Sequence, residues 1–164
     1  MSDPESQEAT VLRTRQAHAT PAPATDPATD PATDRRTALA DGLVRFLESG
    51  EPEPGLFAPD VFCDLVLPRW RLQARGVDDA VALRRSGHPA RGRVPRRRVD
   101  PTPTGFVLEV EEVWDDDGER WCCRELFRAD VGADGIVELA VYCTGDWDAA
   151  RVAEHATAVS LLRP

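Results

Sequence analysis

From residue 105 onward, apolar and polar positions alternate. The segment GFVLEVEEVW (105–114) places Phe106, Leu108, Val110 and Glu112 on one side of an extended chain and Val107, Glu109, Glu111 and Val113 on the other. In ERWCCRELFRAD (119–130), Trp121, Cys123, Glu125 and Phe127 share a face, and in IVELAVYCT (136–144) Leu139, Val141 and Cys143 do. DDDG (115–118) is a hairpin signal and VGADG (131–135) a second turn, so the pattern predicts a three-strand antiparallel meander. The three mostly apolar sets should face helices. The opposite sets, which include Arg124, Arg128, Glu138 and Tyr142, suit solvent or a partner subunit.

Upstream the period lengthens. In RRTALADGLVRFLESG (35–50), Leu39, Leu43, Phe46 and Leu47 follow helical spacing, with Asp34 as the expected N-cap and Gly50 as the stop. PGLFAPD (54–60) reads as a turn or short helix, and VFCDLVL (61–67) as a strand that Pro68 ends or bends. VDDAVALRRSG (77–87) predicts a short helix capped by Asp78, GRVPRRRV (92–99) a weak strand, and WDAARVAEHA (147–156) a last helix. VSLLRP closes the chain as a strand or tail. Helices precede a sheet, which argues for an α+β domain over residues 35–164. Residues 1–34 contain the unit PATD written three times, with proline every fourth residue and nothing apolar to bury, and are expected to be a disordered tail.

At 164 residues the chain is sized for one such domain. Its basic residues are all arginine. Without lysine, Schiff-base chemistry and a phosphate-loop lysine are excluded. The net charge of −9 argues against nucleic acid as a partner of the whole molecule. The charge is uneven: residues 69–98 hold ten arginines against Asp78 and Asp79, while residues 104–150 hold thirteen acids against Arg120, Arg124 and Arg128. RGRVPRRR (91–98) has no interleaved aromatics, so it reads as a solvated edge balancing the acidic sheet. No stretch approaches a membrane span and the N-terminus lacks a signal pattern, so a cytoplasmic protein is expected. Four cysteines there should be free thiols, and no spacing with His88 or His155 supports a metal site.

Two residues break the apolar faces. Glu112 either reaches water near the hairpin turn or is a pocket acid. Glu125, in mid-strand among aromatics, is either a core carboxylate satisfied by a helix arginine or a pocket acid with a raised pKa, able to exchange a proton near neutral pH. His88, in SGHPARG, is a solvated loop histidine or a proton shuttle at a pocket rim. Cys143 is a small core residue or a nucleophile without a histidine beside it in sequence. Asp64 reaches a pocket only if its strand carries a bulge. Tyr142 points outward.

The order of these elements resembles the nuclear transport factor two-like superfamily, with its SnoaL-like polyketide cyclases and ketosteroid isomerases. The resemblance spans roughly residues 35–150 and rests on LESG, LFAPDVFCDLV, the helix after RG (75–76), EEVW, ELFRADVGADGI and AVYCTGDW. It implies a cone-shaped α+β barrel, a curved antiparallel sheet wrapped around N-terminal helices and enclosing an apolar pocket. It also implies a small hydrophobic ligand, no cofactor, and a homodimer through the outer sheet face. The isomerases' enolate-stabilising acid falls on Glu125. Their general base falls near Leu65, one residue from Asp64, and their helix tyrosine falls on Leu43, so steroid isomerisation is not implied. SnoaL-like cyclases also use a pocket acid on the sheet, which leaves two readings. One is a cofactor-free cyclase, isomerase or dehydratase acting on a polycyclic or polyketide-like ketone, with Glu125 as acid/base, helped by Glu112, His88 or Asp64. The other is a non-catalytic binding or accessory protein. Either would have walls from Trp70, Leu108, Val110, Trp114, Trp121, Cys123, Phe127, Val141 and Cys143, with Trp147 folded back as a cover.

Overall fold

A computed structural model describes residues 31–163, so residues 1–30 of the tail expected over 1–34 lie outside the described residues. Helix α1 spans Pro31–Ser49 and begins four residues before the expected boundary, because the third PATD unit is helical. Proline costs nothing in a first helical turn, where its missing N–H would have no partner. Asp34 lies inside that turn rather than at the cap, beside the positive end of the helix dipole. Leu43, Phe46 and Leu47 are buried, as their spacing requires.

The strands are β1 (Phe57–Val66), β2 (Arg71–Arg75), β3 (Gly92–Pro101), β4 (Gly105–Asp116), β5 (Glu119–Gly132), β6 (Gly135–Cys143) and β7 (Trp147–Asp148). Helix α2 is Val77–Gly87 and α3 is Ala149–Ala158. The sheet order is β2-β1-β6-β5-β4-β3, with β7 on β5. The meander β4-β5-β6 is antiparallel as predicted. It turns at Asp117 and Gly118, whose φ angles of 48° and 79° make a two-residue turn of the kind that Asp-Gly favours.

Several elements differ from the sequence expectation. PGLFAPD is a turn running into β1, not a helix. β2 was not visible in its pattern, RLQAR, most of which is exposed. β1 pairs with β6 in parallel, although the other pairs are antiparallel. Gly135 makes this junction possible: its φ is 124°, and a Cβ there would lie 2.7 Å from the Gly55 carbonyl oxygen. Gly76 is the N-cap of helix α2 and no side chain caps it, so Asp78 is not the cap. Register shifts interrupt β1 between Phe57 and Phe62, β3 between Arg93 and Arg96, and the β5–β6 pair after Asp130. Such bulges add local twist and bend a sheet. The sheet curves without closing, and α1 and α2 fill its concave side.

The core lies between α1 and the predicted inner faces. Phe106, Leu108 and Ile136 are fully buried, and Phe46 meets Phe57 edge-on with ring centroids 5.3 Å apart. The outer face carries Tyr142, 55% exposed, and cross-strand ion pairs such as Arg124–Glu109 (3.2 Å) and Arg128–Glu138 (2.8 Å). No helix among the described residues is long and apolar enough to cross a membrane.

Candidate functional site

Register delivers four reactive side chains to one end of the concave face. Glu112 on β4 sits opposite Cys123 on β5, and Glu125, two residues further along β5, sits opposite Cys143 on β6. Alternation then points all four to the helix side. The C-terminal turn of α2 adds Arg84 and His88, one helical turn apart and therefore on one helix face. The link between β6 and β7 adds Asp146.

Glu112 is 1% exposed, which overturns the expectation that it reaches water near the hairpin. Arg84 donates to its Oε1 and to the Leu47 carbonyl (2.8 Å), and also contacts His88 Nδ1. The His88 ring stacks on Trp114 with centroids 4.4 Å apart. Its Nδ1 lies 3.4 Å from Glu112 Oε2 and its Nε2 3.5 Å from Asp146 Oδ1. Burial works against a charged imidazole here, but Asp146 and Glu112 outweigh it and raise the pKa to about 9. Burial likewise works against an ionised Glu112. The neighbouring His88 and Arg84 outweigh it, and the carboxyl is held below the usual range. His88 is thus the buried centre of a charge cluster, not a solvated loop residue.

Glu125 is different. It is 6% exposed, no arginine reaches it, and its Oε2 has no hydrogen-bond partner among the described residues. Burial, followed by the charges of Cys143 and Glu112, pushes its pKa up to about 8. Next to it, Cys123 donates to Cys143 and so holds the Cys143 thiol down at about 6 despite partial burial. The Gly145 N–H also points at that sulfur, 3.3 Å away. The same bond and burial push Cys123 up. Donor atoms of His88, Cys123 and Glu125 lie within 4.8 Å of one another, as do those of Cys123, Cys143 and Asp146.

This cluster closes one end of a cavity of about 140 Å³. Glu125, His88, Arg84, Asp146 and the Cys63 thiol are its charged or titratable groups, and Leu43, Phe46, Leu65, Phe127, Leu139 and Val141 are among its apolar walls. Of the expected wall residues, Phe127 and Val141 line it. Leu108 and Val110 belong to the core and do not line it; Cys123 and Cys143 stand behind Glu125. Trp70 is 68% exposed beside the β1–β2 turn, and Trp121 is half-buried and away from the cavity. Trp147 is no cover: its cross-strand partner is the outward Cys122, and its ring packs with His155 and under Arg151 of α3. Asp64 does not enter either. No bulge turns it inward, and Arg71 holds it in a two-pronged pair (2.9 and 2.6 Å). Arg84 was legible four residues before His88 in a helix, whereas nothing in TGDW marks Asp146.

No protein-family model matches the sequence, and no curated protein matches it. Solved structures do match. An NTF2-like protein from Anabaena variabilis superposes with a TM-score of 0.60 at 15% identity, over 74% of this chain and 96% of that one. A Xanthomonas campestris protein provisionally assigned as a polyketide cyclase gives 0.52 at 16% identity, over 66% and 90%. SalBIII, an epoxide hydrolase/cyclase-like enzyme of pyran ring formation in the polyether salinomycin, gives 0.54 at 10% identity, over 67% and 91%. At these identities the likeness is one of architecture: the chain has the α+β fold of the NTF2-like superfamily, as the order of its sequence elements implied.

Proposed function

We propose that the protein is a SnoaL-like small-molecule enzyme that works without a cofactor, with Glu125 as its acid/base. One observation carries this reading: of the two glutamates on the inner face, the arginine neutralises Glu112, and Glu125 is left unpaired at the polar end of an apolar cavity. A carboxyl with a pKa near 8 is protonated at neutral pH. It can give its proton to the oxygen of a ketone or epoxide and, once ionised, take one from carbon beside a carbonyl. Arg84, Glu112 and His88 position the wall around it, since their charges are spent on one another. The polyketide cyclase and epoxide cyclase-like neighbours support this class of chemistry as an analogy of fold.

The cavity narrows the substrate. At about 140 Å³ it is close to the ~150 Å³ that accepts benzene in an engineered protein core. It therefore suits a single-ring ketone or epoxide better than a polycycle. The test is a carbon-detected NMR titration of Glu125, with Glu125→Gln for assignment, beside a screen of small cyclic ketones and epoxides. A value at or below 4, or equal turnover by both proteins, would remove Glu125 from catalysis.

A second reading, a non-catalytic binding protein, is favoured by Leu43 and Leu65. These occupy the positions where the isomerases carry their tyrosine and base, and both line the cavity as plain apolar groups. In either case we propose a homodimer through the outer sheet face, where Leu126 and Tyr142 are exposed. Light scattering across a dilution series tests it.

A further inference from the structure

The acid/base reading uses Glu125 but leaves the two thiols behind it without a role. They are buried to different degrees: Cys123 is 3% exposed, and Cys143 is half-buried, close to the cavity-lining Asp146 but not itself part of the cavity wall. They lie diagonally across the β5–β6 pair, on one face, with their sulfurs within 4.8 Å of each other. β6 ends at Cys143, but Thr144 is still tied to β5: its N–H donates to the Arg124 carbonyl (3.0 Å) and its Oγ1 accepts from the Arg124 N–H (3.2 Å), and Gly145 follows at φ 84°. The neighbours differ from those of the other two cysteines. Cys143 receives the Gly145 N–H (3.3 Å), which with the adjacent Cys123 thiol favours a thiolate, and it sits opposite Glu125 in the β5–β6 register. Cys63 lines the cavity, but burial in the core cluster pushes its thiol up to about 11, and Cys122 lies on the opposite face of the sheet.

We propose that Cys143 and Cys123 form a dithiol that reduces a small hydroperoxide at the partly exposed end of β6, next to Glu125. The Cys143 thiolate attacks the terminal peroxide oxygen. The O–O bond breaks, leaving Cys143 as a sulfenic acid, and the departing alkoxide or hydroxide takes the proton of Glu125. Cys123 then attacks the Cys143 sulfur. A Cys123–Cys143 disulfide forms and water leaves, carrying the sulfenic hydroxyl and the Cys123 proton. The peroxide is reduced by two electrons and the thiol pair is oxidised by two. An external dithiol returns the pair to its reduced form and ends as a disulfide itself. The proton donor is the Glu125 of the preceding reading, but the disulfide is formed and mapped with no ketone or epoxide present. A failure there therefore leaves that reading standing.

The experiment treats the fully reduced full-length chain with one equivalent of hydrogen peroxide, counts free thiols and maps peptides. The expected result is loss of two of the four thiols as one Cys123–Cys143 disulfide, at a rate that is half-maximal near pH 6. With Cys123→Ser, dimedone should trap a sulfenic acid on Cys143, and Glu125→Gln should slow the first step about a hundredfold, the lower end of the usual range for loss of an acid catalyst. Oxidation of Cys122 or Cys63 as fast as Cys143 would overturn the proposal. So would equal rates for native and urea-unfolded chain, a comparison that needs no variant to fold.

Discussion

Glu112 and Glu125 share one face of adjacent strands, yet only Glu112 has an arginine. Arg84 bonds to Glu112 and to the Leu47 carbonyl, and Glu125 keeps an unpartnered oxygen. Two residues of one chemical type thus end up in opposite protonation states. One is ionised within a buried charge cluster, and the other is held neutral by burial and by its anionic neighbours.

Glu125→Gln should stabilise the protein at alkaline pH. The folded pKa of about 8 lies above the unfolded value, so the native state holds a proton that the unfolded chain gives up. The stability associated with that proton is complete below the unfolded pKa, near ~4.3, and is lost as pH rises towards about 8. Urea unfolding should show the variant gaining on the wild type from pH 5 to pH 8, by on the order of 1–4 kcal/mol. Parallel curves would show that Glu125 titrates normally.

Glu112→Gln should be costly at neutral pH. It leaves Arg84, whose side chain is 11% exposed, with no counter-charge, and breaking a buried pair costs about 3–5 kcal/mol. The double variant Arg84→Met with Glu112→Gln should recover part of that loss. If the single variant unfolds at the wild-type midpoint, the pair is not a structural one.

His88 should make stability fall as pH rises through about 9. Its folded pKa lies above the unfolded value of ~6.5, so its contribution is complete below pH 6.5 and is gone once the ring loses its proton. His88→Asn should flatten the stability curve over that window and also lose the stack on Trp114. An NMR titration placing the ring near 6.5 would contradict the cluster.

Trp147→Ala should loosen α3 without touching the cavity. The ring meets His155 and Arg151, and no part of it lines the pocket. Hydrogen exchange should rise over residues 147–158, while titration of Glu125 stays unchanged. A shift in Glu125 would mean that the tryptophan does reach the site.

Much of this fold is legible in one dimension. Alternation in GFVLEVEEVW and ERWCCRELFRAD fixes which residues face inward, because the strand period of two leaves no choice once a turn sets the register. That reasoning alone places Glu112, Cys123, Glu125 and Cys143 on one side. The DDDG hairpin is equally local, since it needs only residues that tolerate positive φ.

What the sequence could not decide is which charges meet. Arg84 is 28 residues from Glu112 in the chain, and Asp146 is 58 from His88. Whether Arg84 neutralises Glu112 or Glu125 depends on where the end of α2 lands on the curved sheet. The parallel pairing of β1 with β6 and the size of the cavity depend on the same packing, as does the exclusion of Trp70, Trp147 and Asp64 from its walls. Local patterns encode faces because they repeat along a strand. Pairing between distant charges, and the burial that shifts their pKa values, exist only once the helices cover the sheet.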